Sequence, residues 1–354
     1  MEENLKSQAS EVREALSSRI SKILGNSSEM GVLKDGQVVT KLLHKARMRI
    51  SVHLQICLAT LDHTTFTDTS ISEYEIDRAA LTIAHAIVNP INVDWDVDRY
   101  ADRVNLSQPN RDGSATSEPE RLKKYFPEAV LGKISTPATL VDRHGRILMV
   151  YLPNILSPSR LDYINNATSS LRDSLLDTLP PISDQKKSWR DDGFVLPEGG
   201  GEFGAGRITV SPAYFMQRQE RLIDPLVTSE SYNSKKVQQW LGALTTSELL
   251  WNSITAAVAP DLFESGSSAF SKVVKEVQRR KKNSAPVDSW PSIFSGLEII
   301  ANRTTFSHRD PGGSPSLFDL LTIPLVQWST SPVGYWSTLW VLGLMEKELW
   351  LPIL

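Results

Sequence analysis

A single cysteine, Cys57, stands among 354 residues. An intrachain disulfide is thereby excluded, and the chain suits a reducing compartment. An excess of one charge is missing too: 38 Lys and Arg against 41 Asp and Glu leave a net charge of -3. A globally basic nucleic-acid binder is not indicated, so any nucleic-acid contact requires a local patch. No uncharged apolar run is long enough to cross a bilayer. The opening MEENLKSQASEVREALSSRI mixes both charges. It lacks the apolar centre of a signal peptide and the Arg-rich, acid-poor pattern of a transit peptide. These absences predict a nuclear or cytoplasmic protein, neither secreted nor membrane-bound. The glycines between Gly193 and Gly206 lack the Lys-Ser/Thr or the following dinucleotide-binding helix that a phosphate loop needs, so they read as a plain loop.

What is present is enough apolar material for a sizeable core: 40% hydrophobic and 22% charged residues. The first part reads as helical. Val12, Leu16, Ile20 and Ile23 recur at helical spacing between Glu3 and Leu24, a second helix is expected over Gly36–Leu61, and a third over Ser72–Asn89. Residues 105–120 are rich in Ser, Asn, Asp and Pro and read as a linker. Strand patterns follow. Ala138–Val141 and Arg146–Tyr151 flank Asp142-Arg143-His144-Gly145 as a hairpin would, with His144 a turn residue. Ser157-Pro158 opens a helix expected to run to Leu179, with Ser as cap and Pro in the first turn. A short strand is expected at Arg207–Val210, then helices from Ala213 to Val277 with Trp240, Leu241, Leu249, Leu250 and Trp251 on a core face. The cationic run Lys272–Lys282 reads as a solvated helix end, with a phosphate-backbone contact as the alternative.

The stretch that carries chemistry is Ser295–Gln327. Leu297, Ile299 and Ile300 are strand formers, and Gly312-Gly313 allow a tight turn. Between them lie His308 and Asp310, two apart, which on an extended segment project to one face. They can offer an imidazole nitrogen and a carboxylate oxygen to one metal, two-thirds of the two-His, one-carboxylate triad of non-haem Fe(II) oxygenases. The alternative is an ordinary hydrogen-bonded His–Asp pair. A kinase catalytic loop also contains His-Arg-Asp, but no Asn follows Asp310 at the required offset and the chain has no Asp-Phe-Gly.

Three blocks together extend the reading: Phe294-Ser295-Gly296-Leu297-Glu298, Asn302-Arg303-Thr304-Thr305, and His308-Arg309-Asp310-Pro311-Gly312-Gly313. Their combination resembles the fungal branch of the 2-oxoglutarate/Fe(II) dioxygenases of the TET/JBP type. Val141-Asp142-Arg143-His144-Gly145-Arg146-Ile147-Leu148 with Tyr151-Leu152-Pro153 looks like the segment those proteins carry ahead of the catalytic core, so the likeness runs from about Pro137 to about Gln327. The resemblance implies Fe(II) and 2-oxoglutarate as cofactors, His308 and Asp310 as catalytic metal ligands, and modified pyrimidines such as 5-methylcytosine in nucleic acid (DNA as partner) as substrate class. Such a base has to be flipped out of the duplex. Arg303 is the candidate for a carboxylate contact with the cosubstrate. It lies five before His308, so that role requires a bend or bulge between them.

The family's distal His and cosubstrate Arg come later in the chain. Here His308 is the last histidine, Arg309 the last arginine, and Lys347 the only basic residue beyond them. The Trp- and Leu-rich stretch from Tyr335 onward does not look like the family's closing strands. The expectation is a shortened or altered C-terminus, with weak metal binding and poor turnover. The expected fold is α+β: a helical region and linker over 1–120, then a dioxygenase-like core over 121–354. That core is a distorted, incomplete double-stranded β-helix or jelly roll flanked by helices. The alternatives are a catalytically dead scaffold and a helical interaction or nucleic-acid-binding protein.

Overall fold

The computed structural model describes residues 2–25, 40–59, 66–96, 134–179, 194, 203–214, 227–280, 290–303, 320–322, 325–326 and 337–344. Helix and strand are mixed. Among the described residues three helices come first, α1 (Glu2–Leu24), α2 (Thr40–Ala59) and α3 (Glu73–Ile87). Strands β1 (Pro90–Asn92), β2 (Ala138–Val141) and β3 (Ile147–Tyr151) follow, then α4 (Pro158–Ser169) and α5 (Arg172–Leu176). Strand β4 (Gly206–Val210) precedes a 3-10 turn at Glu230–Asn233 and the long helices α6 (Lys235–Val258) and α7 (Pro260–Arg280). The last strands are β5 (Gly296–Ala301), β6 (Leu320–Thr322), β7 (Leu325–Val326) and β8 (Ser337–Leu344).

The core is built around α6. Trp240, Leu241, Leu244, Leu250, Trp251 and Ile254 are all buried, as befits a helix covered on nearly every side. The bulky face read from the sequence is therefore in the interior. Against it lie Leu16, Ile20 and Leu24 of α1, spaced to share one helix face. Leu297, Ile299 and Ala301 of β5 join the same cluster from the sheet side, so one core draws on residues before and after the 105–120 stretch.

Two helices start with the chemistry that their sequences announce. Ser72 accepts from the Glu75 backbone N–H at 3.2 Å while the Ser72 N–H donates to Glu75 Oε2 at 3.0 Å, a reciprocal cap. Ser157 accepts from the Arg160 N–H at 3.1 Å, with Pro158 in the first turn. The helix expected from Ser157 to Leu179 is, however, two helices. At the break Ser169 and Ser170 donate their hydroxyls to the Asn166 and Ala167 carbonyls at 2.8 and 2.6 Å, and Leu171 is fully buried. Serine hydroxyls that satisfy the last carbonyls locally compete with helix continuation. Ahead of α6, the Tyr214–Val227 bridge replaces the beginning of the helical stretch expected from Ala213.

The described residues form two sheets. In the first, β2 pairs antiparallel with β3 as a hairpin, and β1 adds parallel to β2. The second has the order β4-β5-β8-β6, with β7 also on β8, and every pairing in it is antiparallel. Residues 337–344 of the Trp- and Leu-rich tail thus take the place beside β5, a role that its composition did not suggest. No helix among the described residues is long and apolar enough to cross a membrane.

Candidate functional site

The candidate site begins where β5 ends. All six residues of β5 are buried, and their alternation sends Leu297, Ile299 and Ala301 into the core. Glu298 is on the other face. It is 3% exposed, accepts from Nε of Arg207 on β4, and lies 3.3 Å from the Thr209 hydroxyl. The strand register explains the trio, since Thr209 stands opposite Glu298 and Arg207 is one diagonal step away. Arg207 itself keeps 40% of its side chain exposed, so a buried carboxylate is linked through it to the surface.

Just past Ala301 the chain bends. Asn302 has φ 51°, a left-handed conformation that Asn tolerates better than most residues. Its Nδ2 donates to the Gly204 carbonyl, which fastens the end of β5 to the segment entering β4. Gly206 makes that entry possible. At φ 145° a Cβ added there would overlap the Leu175 carbonyl oxygen at the end of α5. The bend delivers Arg303, which forms a backbone bridge with Phe194 and sets its guanidinium 5.4 Å from the centre of the Phe194 ring. A planar cation stacked on an aromatic ring is a geometry suited to recognising a carboxylate or phosphate.

Of the three site residues read from the sequence, Arg303 is therefore placed at the exit of β5, and His308 and Asp310 lie outside the described residues. The bend that the Arg303 assignment requires would fall in residues 304–307, also outside them; the left-handed turn that is described, at Asn302, comes immediately before Arg303. Sequence reading missed Glu298, Arg207 and Phe194. Glu298 was detectable as the only charged residue in an otherwise apolar strand, whereas Phe194 is brought in from a distant segment by folding alone.

The other described histidines have their own surroundings. His53 Nδ1 is 2.8 Å from the Arg49 carbonyl oxygen of its own helix. His85 is buried in α3, where desolvation and, secondarily, the nearby Arg47 hold its imidazole below the usual range. His144 sits in the β2–β3 turn as expected; its N–H donates to Asp142 Oδ1 at 2.8 Å and its Nε2 is 3.4 Å from Asp96 Oδ2. Among the described residues no group of three or more His, Cys, Asp and Glu could hold a metal ion. Toward the iron that the resemblance implies, the sequence offers His308 and Asp310, both outside the described residues.

No known family model matches the chain, and no curated protein is significantly similar to it.

Proposed function

We propose that the chain is a 2-oxoglutarate- and Fe(II)-dependent dioxygenase-like protein directed at modified pyrimidine bases in DNA. His308 and Asp310 are the metal ligands and Arg303 is the contact for the cosubstrate carboxylate. One observation carries the reading. A buried antiparallel strand, β5, ends in a left-handed turn that sets Arg303 on an aromatic ring immediately ahead of the segment holding His308-Arg309-Asp310. In this reading the sheet β4-β5-β8-β6 is one wall of a distorted double-stranded β-helix.

A specific observation favours a second reading, that of a scaffold without turnover: residues 310–354 contain no His or Arg. Two protein ligands hold Fe(II) less firmly than three and fix its geometry less well. The expected activity of the chain is accordingly low. Mass spectrometry of bases from 5-methylcytosine duplex, incubated with the 354-residue chain, Fe(II) and 2-oxoglutarate, tests both readings. The proposal expects a small amount of oxidised cytosine that disappears in His308→Ala and in Asp310→Ala. Robust product that survives both substitutions would refute the ligand assignment. No product, with no Fe(II)-dependent retention of 2-oxoglutarate, would leave the scaffold reading in its place.

A further inference from the structure

Helix α2 buries Ile50 and Leu54, and it packs against α3. Its opposite side is unusual. Met48, Val52 and Ile56 are 55%, 48% and 59% exposed, the largest exposures of big apolar side chains among the described residues. Their spacing of four residues aligns them in one stripe about 12 Å long. Single exposed apolar residues are ordinary on a protein surface, but an aligned row on one helix face has the pattern of helix-in-groove or helix-on-helix recognition.

Charge selects the occupant. The helix TKLLHKARMRISVHLQICLA carries Lys41, Lys45, Arg47 and Arg49 together with two histidines, and it has no Asp or Glu. Arg47 and Arg49 are exposed beside the stripe, with Arg49 Nη2 also donating to the Ile23 carbonyl at the end of α1 at 2.8 Å. A second copy of this helix would set like charges against each other, which opposes self-pairing. The helix contains no Trp, Tyr or Phe, the residues that seat a helix in a lipid interface. An apolar row at the centre of the face is the wrong lining for a phosphate backbone. We propose that the Met48–Val52–Ile56 face of α2 docks an acidic amphipathic helix of a partner protein. The partner's apolar stripe covers these three side chains, and its flanking Asp and Glu meet the cations of α2.

The test uses the full chain and a fluorescein-labelled helical peptide of about 18 residues, with Leu at helical a and d positions and Glu at the rest. Its control is the same peptide with Lys in place of Glu. Fluorescence anisotropy is expected to show binding of the acidic peptide at least about tenfold tighter than the control, weakened severalfold between about 50 and about 500 mM NaCl. Val52→Asp and Ile56→Asp are each expected to weaken it at least about tenfold. Both positions are exposed, so an unchanged thermal melt verifies the fold. The proposal is overturned if the acidic peptide fails to bind or binds both aspartate variants equally well. It is also overturned if the face instead mediates dimerisation in sedimentation, binds phosphatidylserine vesicles, or binds duplex DNA, with those activities lost in Val52→Asp.

Discussion

Two Arg–Glu pairs are used in opposite ways in this molecule. Glu75 and Arg160 join the starts of α3 and α4, with side chains 4% and 0% exposed. Glu75 accepts from Arg160 Nε at 2.9 Å, Arg160 Nη2 at 3.1 Å and the Ser157 hydroxyl at 3.2 Å, besides the Ser72 cap. Arg160 also donates to the Ser70 carbonyl and lies 4.7 Å from the centre of the Phe66 ring. The protein meets both carboxylate oxygens and the guanidinium Nε and Nη2, and leaves buried Nη1 without a partner among the described residues. Glu298 and Arg207 form the second pair, where the carboxylate is equally buried but the arginine side chain is 40% exposed and Arg303 follows just past the end of Glu298's strand. The closed pair locks two helix starts together and has little left to offer a ligand. The open pair leaves a cation at the surface beside a strand exit, and such partly satisfied edges are where binding chemistry is placed.

The largest effect is expected from breaking the closed pair. Arg160→Ala leaves Glu75 buried without its main counter-charge and should cost about 3–5 kcal/mol of stability, measured by chemical denaturation. A loss near that of an exposed pair, under about 1 kcal/mol, would show that water reaches Glu75 and that the contrast is overstated. Gly206→Ala comes next. The positive φ and the overlap with the Leu175 carbonyl oxygen predict a loss of about 2–3 kcal/mol together with displacement of β4, and hence of the Arg207–Glu298 pair.

Glu248 sharpens the comparison from a third direction. It is 1% exposed in the middle of α6, and among the described residues its Oε1 has no hydrogen-bond partner and no cation plays the role of Arg160. Burial pushes its pKa up to about 8, with the Ser292 hydroxyl pulling the other way. The folded state therefore holds the proton more tightly than the unfolded chain. The associated stability is complete at acid pH and declines as pH rises from the ordinary carboxylate range towards 8, by roughly 1 kcal/mol per pH unit. Glu248→Gln should flatten that slope, giving a variant close to wild type at pH 5 and more stable at pH 8. An unchanged slope would mean that Glu248 is ionised and paired in solution. The smallest stability effect is that of Arg207→Ala, about 1 kcal/mol or less, because removing a half-exposed side chain lets water reach Glu298 in place of the cation. Its consequence, like that of Arg303→Ala, should be read in ligand affinity. If Arg303 contacts the cosubstrate carboxylate, Arg303→Ala lowers 2-oxoglutarate affinity without moving the melting temperature; an unchanged affinity removes Arg303 from the site.

Much of the scaffold was legible because its signals are local. The cap at Ser157, the Asp142–Gly145 turn and the helical stripe of α1 each declare themselves within a few residues. What stayed hidden depends on distant segments meeting. The parallel addition of β1 to β2 joins Pro90 to Thr139, the seat of β8 beside β5 joins Leu344 to Gly296, and Phe194 reaches Arg303 only in the folded chain. Asn302 illustrates the limit within the site itself. Period-2 counting carries strand faces from Leu297 through the whole segment, and one left-handed residue at position 302 ends that count before it reaches the histidine. The pairing of Arg160 with Glu75 was equally illegible, because a charged residue three positions into a helix reads as solvent-facing until a partner 85 residues away covers it.

The most direct test of the account is an anaerobic calorimetric titration of Fe(II) into the 354-residue chain, compared with His308→Ala and Asp310→Ala. The account predicts weak binding by wild type, abolished in both variants, with melting curves of the metal-free proteins unchanged. Tight binding that neither substitution alters would contradict it and would move the metal, and the proposed function with it, away from the His308-Arg309-Asp310 segment.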